Sequence, residues 1–192
     1  MTTPLAIRVV FWIWFFAALI VSRFSLLQTG SPSSAQGILL ALTAALILAY
    51  RRIGAFRSWV DTIDLRRIVL FHATRFVGVY FLLLYRRGEL PYEFAVPGGV
   101  GDIIVAALAL VVGFFPFSEP NRIRAISIWN IVGLIDILLV VFSATRIGMA
   151  GGNELAALTR FPLSLLPTFL VPLIIGSHLA IFVRLHHETK TS

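Results

Sequence analysis

The chain has 192 residues, 58% of them hydrophobic and only 13% charged, with a mean hydropathy of +0.92. Soluble domains carry about 25% charged residues, so this composition belongs in lipid. There is no cysteine, which excludes disulfides, thiolate metal sites and cysteine nucleophiles. The net charge of +7 comes from arginines set between apolar runs rather than from a basic patch interleaved with aromatics, so no nucleic-acid partner is expected.

Taken in order, the apolar runs predict an all-α polytopic membrane protein, a bundle of six transmembrane helices in one domain covering 1–192. Each run approaches the 20 or so residues that cross a bilayer. The first span is read over 7–27, with Trp12, Trp14, Phe15 and Phe16 as lipid-facing bulk and Arg23 near its far end. Its head resembles a signal peptide, but its length and the lack of a clean small-residue cleavage site predict an uncleaved helix. A polar turn over 28–34 leads to a short second span over 35–50. The basic stretch that follows repeats Ile53, Phe56, Val60 and Ile63 at helical spacing. It predicts an interfacial helix over 53–66, with Arg57 and Asp61 as an i,i+4 pair.

The third span, 68–85, carries His72 and Arg75 inside an apolar run. A loop is expected over 86–97, and then Pro97, Gly98, Gly99 and Gly101 as a loose entry to the fourth span, 98–117, with Asp102 in its first turn. The fifth span, 123–145, holds Asn130 and Asp136. After a glycine-rich loop the sixth span, 161–185, carries Pro162, Pro167 and Pro172 before His178. Each interior proline withholds the donor for the carbonyl four residues back. Leu163 and Thr168 are therefore expected to offer free carbonyls. His186, His187 and the polar tail are read as exposed, with no metal.

Six spans put both termini on one side. That side holds Arg8, Arg51, Arg52, Arg57, Arg66, Arg67, Arg122, Arg124, Arg184 and Lys190, against Arg86, Arg87, Arg146 and Arg160 on the other. The positive-inside rule makes the richer side cytoplasmic. Depth then follows from a rise of about 1.5 Å per residue. His72, Asn130 and His178 fall in an inner polar layer. Arg75, Asp102, Asp136 and Arg23 fall further out, as two acids and two bases able to neutralise one another, with Arg160 a further partner for Asp136. Charges facing lipid cost several kcal/mol each, so these groups are expected to face inward.

No P-loop, GxGxxG, HExxH or GxSxG occurs, and the His, Asp and Glu residues lack zinc-site spacing. Ser177 and His178 are neighbours that point about 100° apart on a helix, a poor catalytic dyad. No nucleophile–base pair stands out, so an enzyme is not the favoured reading. The segments EFAVPGGVGDI, WNIVGLID and LTRFPLSLLPTFLVPLIIGSHL together resemble a widespread group of small bacterial inner-membrane proteins usually described only as uncharacterised. The resemblance covers spans three to six and implies a bacterial inner-membrane location and the six-span layout, with no mechanism attached.

The leading functional expectation is a small-solute or ion transporter with proton coupling and no cofactor. Its ligand-binding residues would be His72, Arg75, Asp102, Asn130, Asp136 and His178, with Arg23 and Arg160 in structural charge pairs. A carrier this small is expected to form a homodimer. Two alternatives stand beside it: a b-type haem protein with His72 and His178 as axial ligands, and an accessory subunit of a larger membrane complex.

Overall fold

A computed structural model describes residues 3–28, 34–150 and 153–191. Residues 29–33 of the expected polar turn, residues 151 and 152 of the glycine-rich loop, and the side chains of His187 and Lys190 lie outside the described residues. The described chain is helical. Six helical stretches are long and apolar enough to cross a membrane: Leu5–Arg23, Ser34–Arg52, Leu65–Arg86, Tyr92–Phe114, Glu119–Met149 and Leu166–His186. The helices are α1 (Leu5–Arg23), α2 (Ser34–Arg52), α3 (Gly54–Thr62), α4 (Leu65–Phe71), α5 (Gly78–Arg86), α6 (Tyr92–Phe114), α7 (Glu119–Met149) and α8 (Val171–Thr191). A 3₁₀ segment, His72–Val77, joins α4 to α5, and a π-helical turn, Leu166–Leu170, precedes α8.

The backbone packs as two compact units. Unit 1 is Met1–Thr62 with Ser143–Gly176, and unit 2 is Ile63–Phe142 with Ser177–Ser192. Unit 1 is built around the proline-rich approach to α8, against which α1 and α2 pack. Trp12 and Phe16 are exposed as expected, but Trp14 and Phe15 are not lipid-facing bulk. Their rings meet Phe169 edge-on at 5.0 and 5.3 Å. Ser22 hydrogen-bonds Ser164 in the same region. The amphipathic helix is shorter than expected. α3 ends at Thr62, and the Asp64 carboxylate accepts from the Arg66 amide at 2.7 Å to start α4 as its N-cap. Asp61 accepts from the Tyr50 hydroxyl at 2.8 Å instead of pairing with Arg57.

Unit 2 is organised by α6. Ala95, Gly98, Gly99, Asp102, Val105, Ala106, Ala109, Val112 and Gly113 are its buried stripe, a run of helical spacings down one face. The helix starts five residues before the expected entry at Pro97. Pro97 lies inside it and deprives only the exposed Glu93 carbonyl of a partner. Asp102 is therefore almost three turns deep rather than in the first turn, and the helix dipole does not account for it. α5 lies against α6 backbone to backbone. A Cβ on Gly78 would sit 2.9 Å from Asp102 Cβ, and one on Gly99 would sit 2.8 Å from the Gly78 carbonyl oxygen. Small residues that admit such an approach are the usual contact between membrane helices. Towards the other end, Ile68, Val69, Val105, Ala109, Val112, Ile126, Trp129, Ile181 and Leu185 close an apolar core.

Candidate functional site

Inside unit 2 the polar residues form two contiguous groups. Both depend on the 3₁₀ segment. Side chains at i and i+3 eclipse in a 3₁₀ helix, whereas an α-helix turns them about 60° apart. His72 and Arg75 therefore project from one edge of the third span, and neither has any solvent-exposed surface.

Arg75 is held on three sides. Its Nε donates to Asp102 Oδ1 at 2.6 Å, its Nη1 donates to the Gly133 carbonyl at 2.9 Å, and its Nη2 donates to Asp136 Oδ2. The acids differ in setting: the Asp102 side chain is 5% exposed and that of Asp136 19%. Asp136 reaches the guanidinium by crossing Gly101, where an added Cβ would collide with its carboxylate. One cation thus serves two carboxylates. Arg23 and Arg160, expected as further partners, are both exposed and form no ion pair among the described residues. A single guanidinium with separate donors suffices for both acids, so the second arginine is not needed.

The second group is a pair of imidazoles. The rings of His72 and His178 lie 4.3 Å apart, and the rings of Trp129 and His72 meet nearly perpendicular at 4.8 Å. Asn130 grips His178 twice. Its Nδ2 donates to the His178 carbonyl at 3.1 Å, so its Oδ1, 2.8 Å from His178 Nδ1, accepts a proton from that nitrogen. This assigns the Nδ1–H tautomer to neutral His178 and leaves Nε2 as a bare lone pair. His72 Nε2 bonds Ser177 Oγ at 3.0 Å. Two buried ring nitrogens, His72 Nδ1 and His178 Nε2, have no hydrogen-bond partner among the described residues. The groups meet at Gly133: its carbonyl takes Arg75, and an added Cβ would stand 2.6 Å from His178 Cε1.

The structure therefore brings together His72, Asn130 and His178 in one group and Arg75, Asp102 and Asp136 in the other, all within one unit. Sequence reasoning missed Trp129 and Gly133, read Gly101 only as part of a loose helix entry, and saw Ser177 only as a neighbour of His178. The spacing of Trp129, Gly133 and Asp136, at i, i+4 and i+7, is the signal that places all three on one face of α7. The expected free carbonyls are not free. Thr168 O accepts from Trp14 Nε1 at 2.9 Å, and Leu163 O accepts from the Leu166 amide at 2.9 Å.

The geometry limits the chemistry. Two imidazoles on opposite faces of one iron stand with ring centres about 6 Å apart, because each metal–nitrogen bond is about 2 Å long. At 4.3 Å the two rings do not fit as axial haem ligands. No group of three or more His, Cys, Asp or Glu side chains among the described residues is placed to hold a metal ion. Ser177 and His72 make a serine–imidazole contact, but no carboxylate orients the ring, since its Nδ1 is unpartnered.

No curated protein and no solved structure matches the chain. Residues 32–186, which contain both groups, match a family described as "Domain of unknown function (DUF8737)", and the chain belongs to that family.

Proposed function

We propose that the protein is a multi-pass protein of the bacterial inner membrane, with both termini cytoplasmic, and that the polar interior of unit 2 moves a small ion or polar solute with proton coupling. The observation that carries this reading is the fully buried Arg75, shared by Asp102 and Asp136, beside an imidazole pair with two open nitrogens. Ionisable groups within a membrane span are costly, and those that persist commonly mark ion pathways or proton relays. Packing alone gives no reason for them, because a buried ion pair is often replaced by apolar residues at no loss of stability. Histidine is the side chain whose charge changes most readily near neutral pH, which suits it to a coupled step. The inner membrane and the orientation rest on the resemblance noted above and on the arginine asymmetry.

The test is flux in proteoliposomes holding a pH-sensitive dye, with an imposed pH or potential gradient. The parent protein should carry a pH-dependent flux. His72→Ala and His178→Ala should abolish it while circular dichroism and elution volume stay unchanged. A flux identical in parent and variants, or absent in a correctly folded parent under every gradient, would refute the proposal.

A further inference from the structure

The imidazole pair has a stoichiometry written into its surroundings. His72 Nδ1 and His178 Nε2 are buried without a partner, although a polar atom removed from water without a hydrogen bond is rare and costly. The opposite nitrogen of each ring is engaged, His178 Nδ1 by Asn130 and His72 Nε2 by Ser177, so each ring is held in place with one nitrogen to spare. Ring centres 4.3 Å apart leave no room for a solute between them. A proton needs no such room.

The pair lies next to a charged cluster drawn from the elements of unit 2 packed on it. The charged group beside the pair is Arg75, on the segment bearing His72 and reaching Gly133 next to His178, and its guanidinium in turn holds Asp102 of α6 and Asp136 of α7. On α8 the nearest basic side chain whose contacts are described is Arg184, which is tied to the Ile63 carbonyl. With both carboxylates ionised, Arg75 leaves the cluster one negative charge in excess. One imidazolium cancels that excess. A second would leave the cluster positive and set two cations side by side in a medium of low dielectric.

We infer that His72 and His178 together form a one-proton site, in which the open Nδ1 of His72 and the open Nε2 of His178 take up a single proton between them and bring the Arg75–Asp102–Asp136 cluster to neutrality. The inference names the ion handled by the site proposed above and rests on that proposal only for the idea that the ion moves. Proton uptake stands without it.

The chain has four histidines, so His186→Gln/His187→Gln leaves the pair as the sole imidazoles. The full-length double variant, labelled with ¹⁵N-histidine in detergent micelles, is titrated by NMR from acid to alkaline pH. All four ring nitrogens should shift together over one pH range, with uptake of one proton per chain. Asp136→Asn in this background removes the excess negative charge and should lower the midpoint by about one pH unit or more, a tenfold loss of proton affinity. Two separate titrations of one proton each, or no uptake by the folded chain over the whole range, would overturn the inference. An unmoved midpoint in a folded Asp136→Asn variant would overturn it as well. Where that variant does not fold, the count of protons in the parent background decides. Absent flux with one-proton uptake intact counts against transport alone, whereas failure of the titration counts against the one-proton site whatever the flux.

Discussion

Asp102→Asn is the sharpest probe of the charge cluster, because it keeps the side-chain shape and removes only the charge. The Arg75–Asp102 contact is 2.6 Å long between side chains 0% and 5% exposed. A hydrogen bond to a charged group contributes about 1.5–3 kcal/mol, and little water is present here to compensate its loss. Arg75 keeps Asp136 and the Gly133 carbonyl, so the expected cost is about 2–3 kcal/mol. Asp136→Asn should cost less, about 1–2 kcal/mol, because that side chain is 19% exposed and better solvated. Arg75→Leu should cost most, about 3–5 kcal/mol, since it leaves two carboxylates and a carbonyl without their donor. Arg75→Leu with Asp102→Asn should then cost less than the sum of the two, by about 1–3 kcal/mol. The assay is reversible unfolding by sodium dodecyl sulfate in mixed micelles, followed by far-ultraviolet circular dichroism. Costs that add to within about 0.5 kcal/mol would show that the two side chains do not act as a unit. An Asp136→Asn variant less stable than Asp102→Asn would contradict the burial argument.

Two further outcomes follow from packing and from charge asymmetry. Gly101→Ala and Gly133→Ala, whose new methyl groups would meet Asp136 and His178, should each destabilise by about 1–3 kcal/mol in the same assay. Gly37→Ala, with nothing within 4 Å of the added carbon, should be neutral or stabilising by up to about 1 kcal/mol. The cysteine-free chain also permits single-cysteine mapping: Ser34→Cys and Gly88→Cys should react with an impermeant thiol reagent from the periplasm, and Ser58→Cys only after permeabilisation. Labelling of Ser58→Cys in intact cells would reverse the proposed orientation.

Much of the fold was legible because lipid imposes a simple rule. Runs of about 20 apolar residues become helices, and six such stretches form among the described residues. Boundaries were less legible where polar or glycine-rich residues join a helix. Tyr92–Pro97 reads as loop from its composition but coils as the start of α6, because Phe94 and Ala95 lie on its buried stripe. The candidate site was legible as residue types at matched depth. Which groups would touch was not. Depth alone cannot separate Arg23 from Arg75, since azimuth around each helix decides whether a side chain meets an acid or turns outward. The freed carbonyls failed as a clue for a related reason. Proline removes one donor, but it does not reveal that the Trp14 indole supplies another from a segment more than a hundred residues away.

The 3₁₀ stretch ties these strands together. Runs longer than three or four residues are uncommon because their hydrogen bonds are poorly aligned, yet His72–Val77 spans six in the middle of a membrane span. The strain has an identifiable return. In this conformation His72 and Arg75 eclipse, so one short segment reaches His178 with the first and both aspartates with the second. An α-helical course would turn the two side chains about 60° apart and could not aim both along the same edge. Gly78, immediately after the segment, admits the α6 backbone where a side chain would strike Gly99, and so holds the acid of α6 within reach of Arg75. Apolar glue between helices requires none of this alignment. A tightened segment that brings a buried imidazole and a buried guanidinium into register is the structural cost of keeping the two polar groups side by side, with Gly133 as their meeting point.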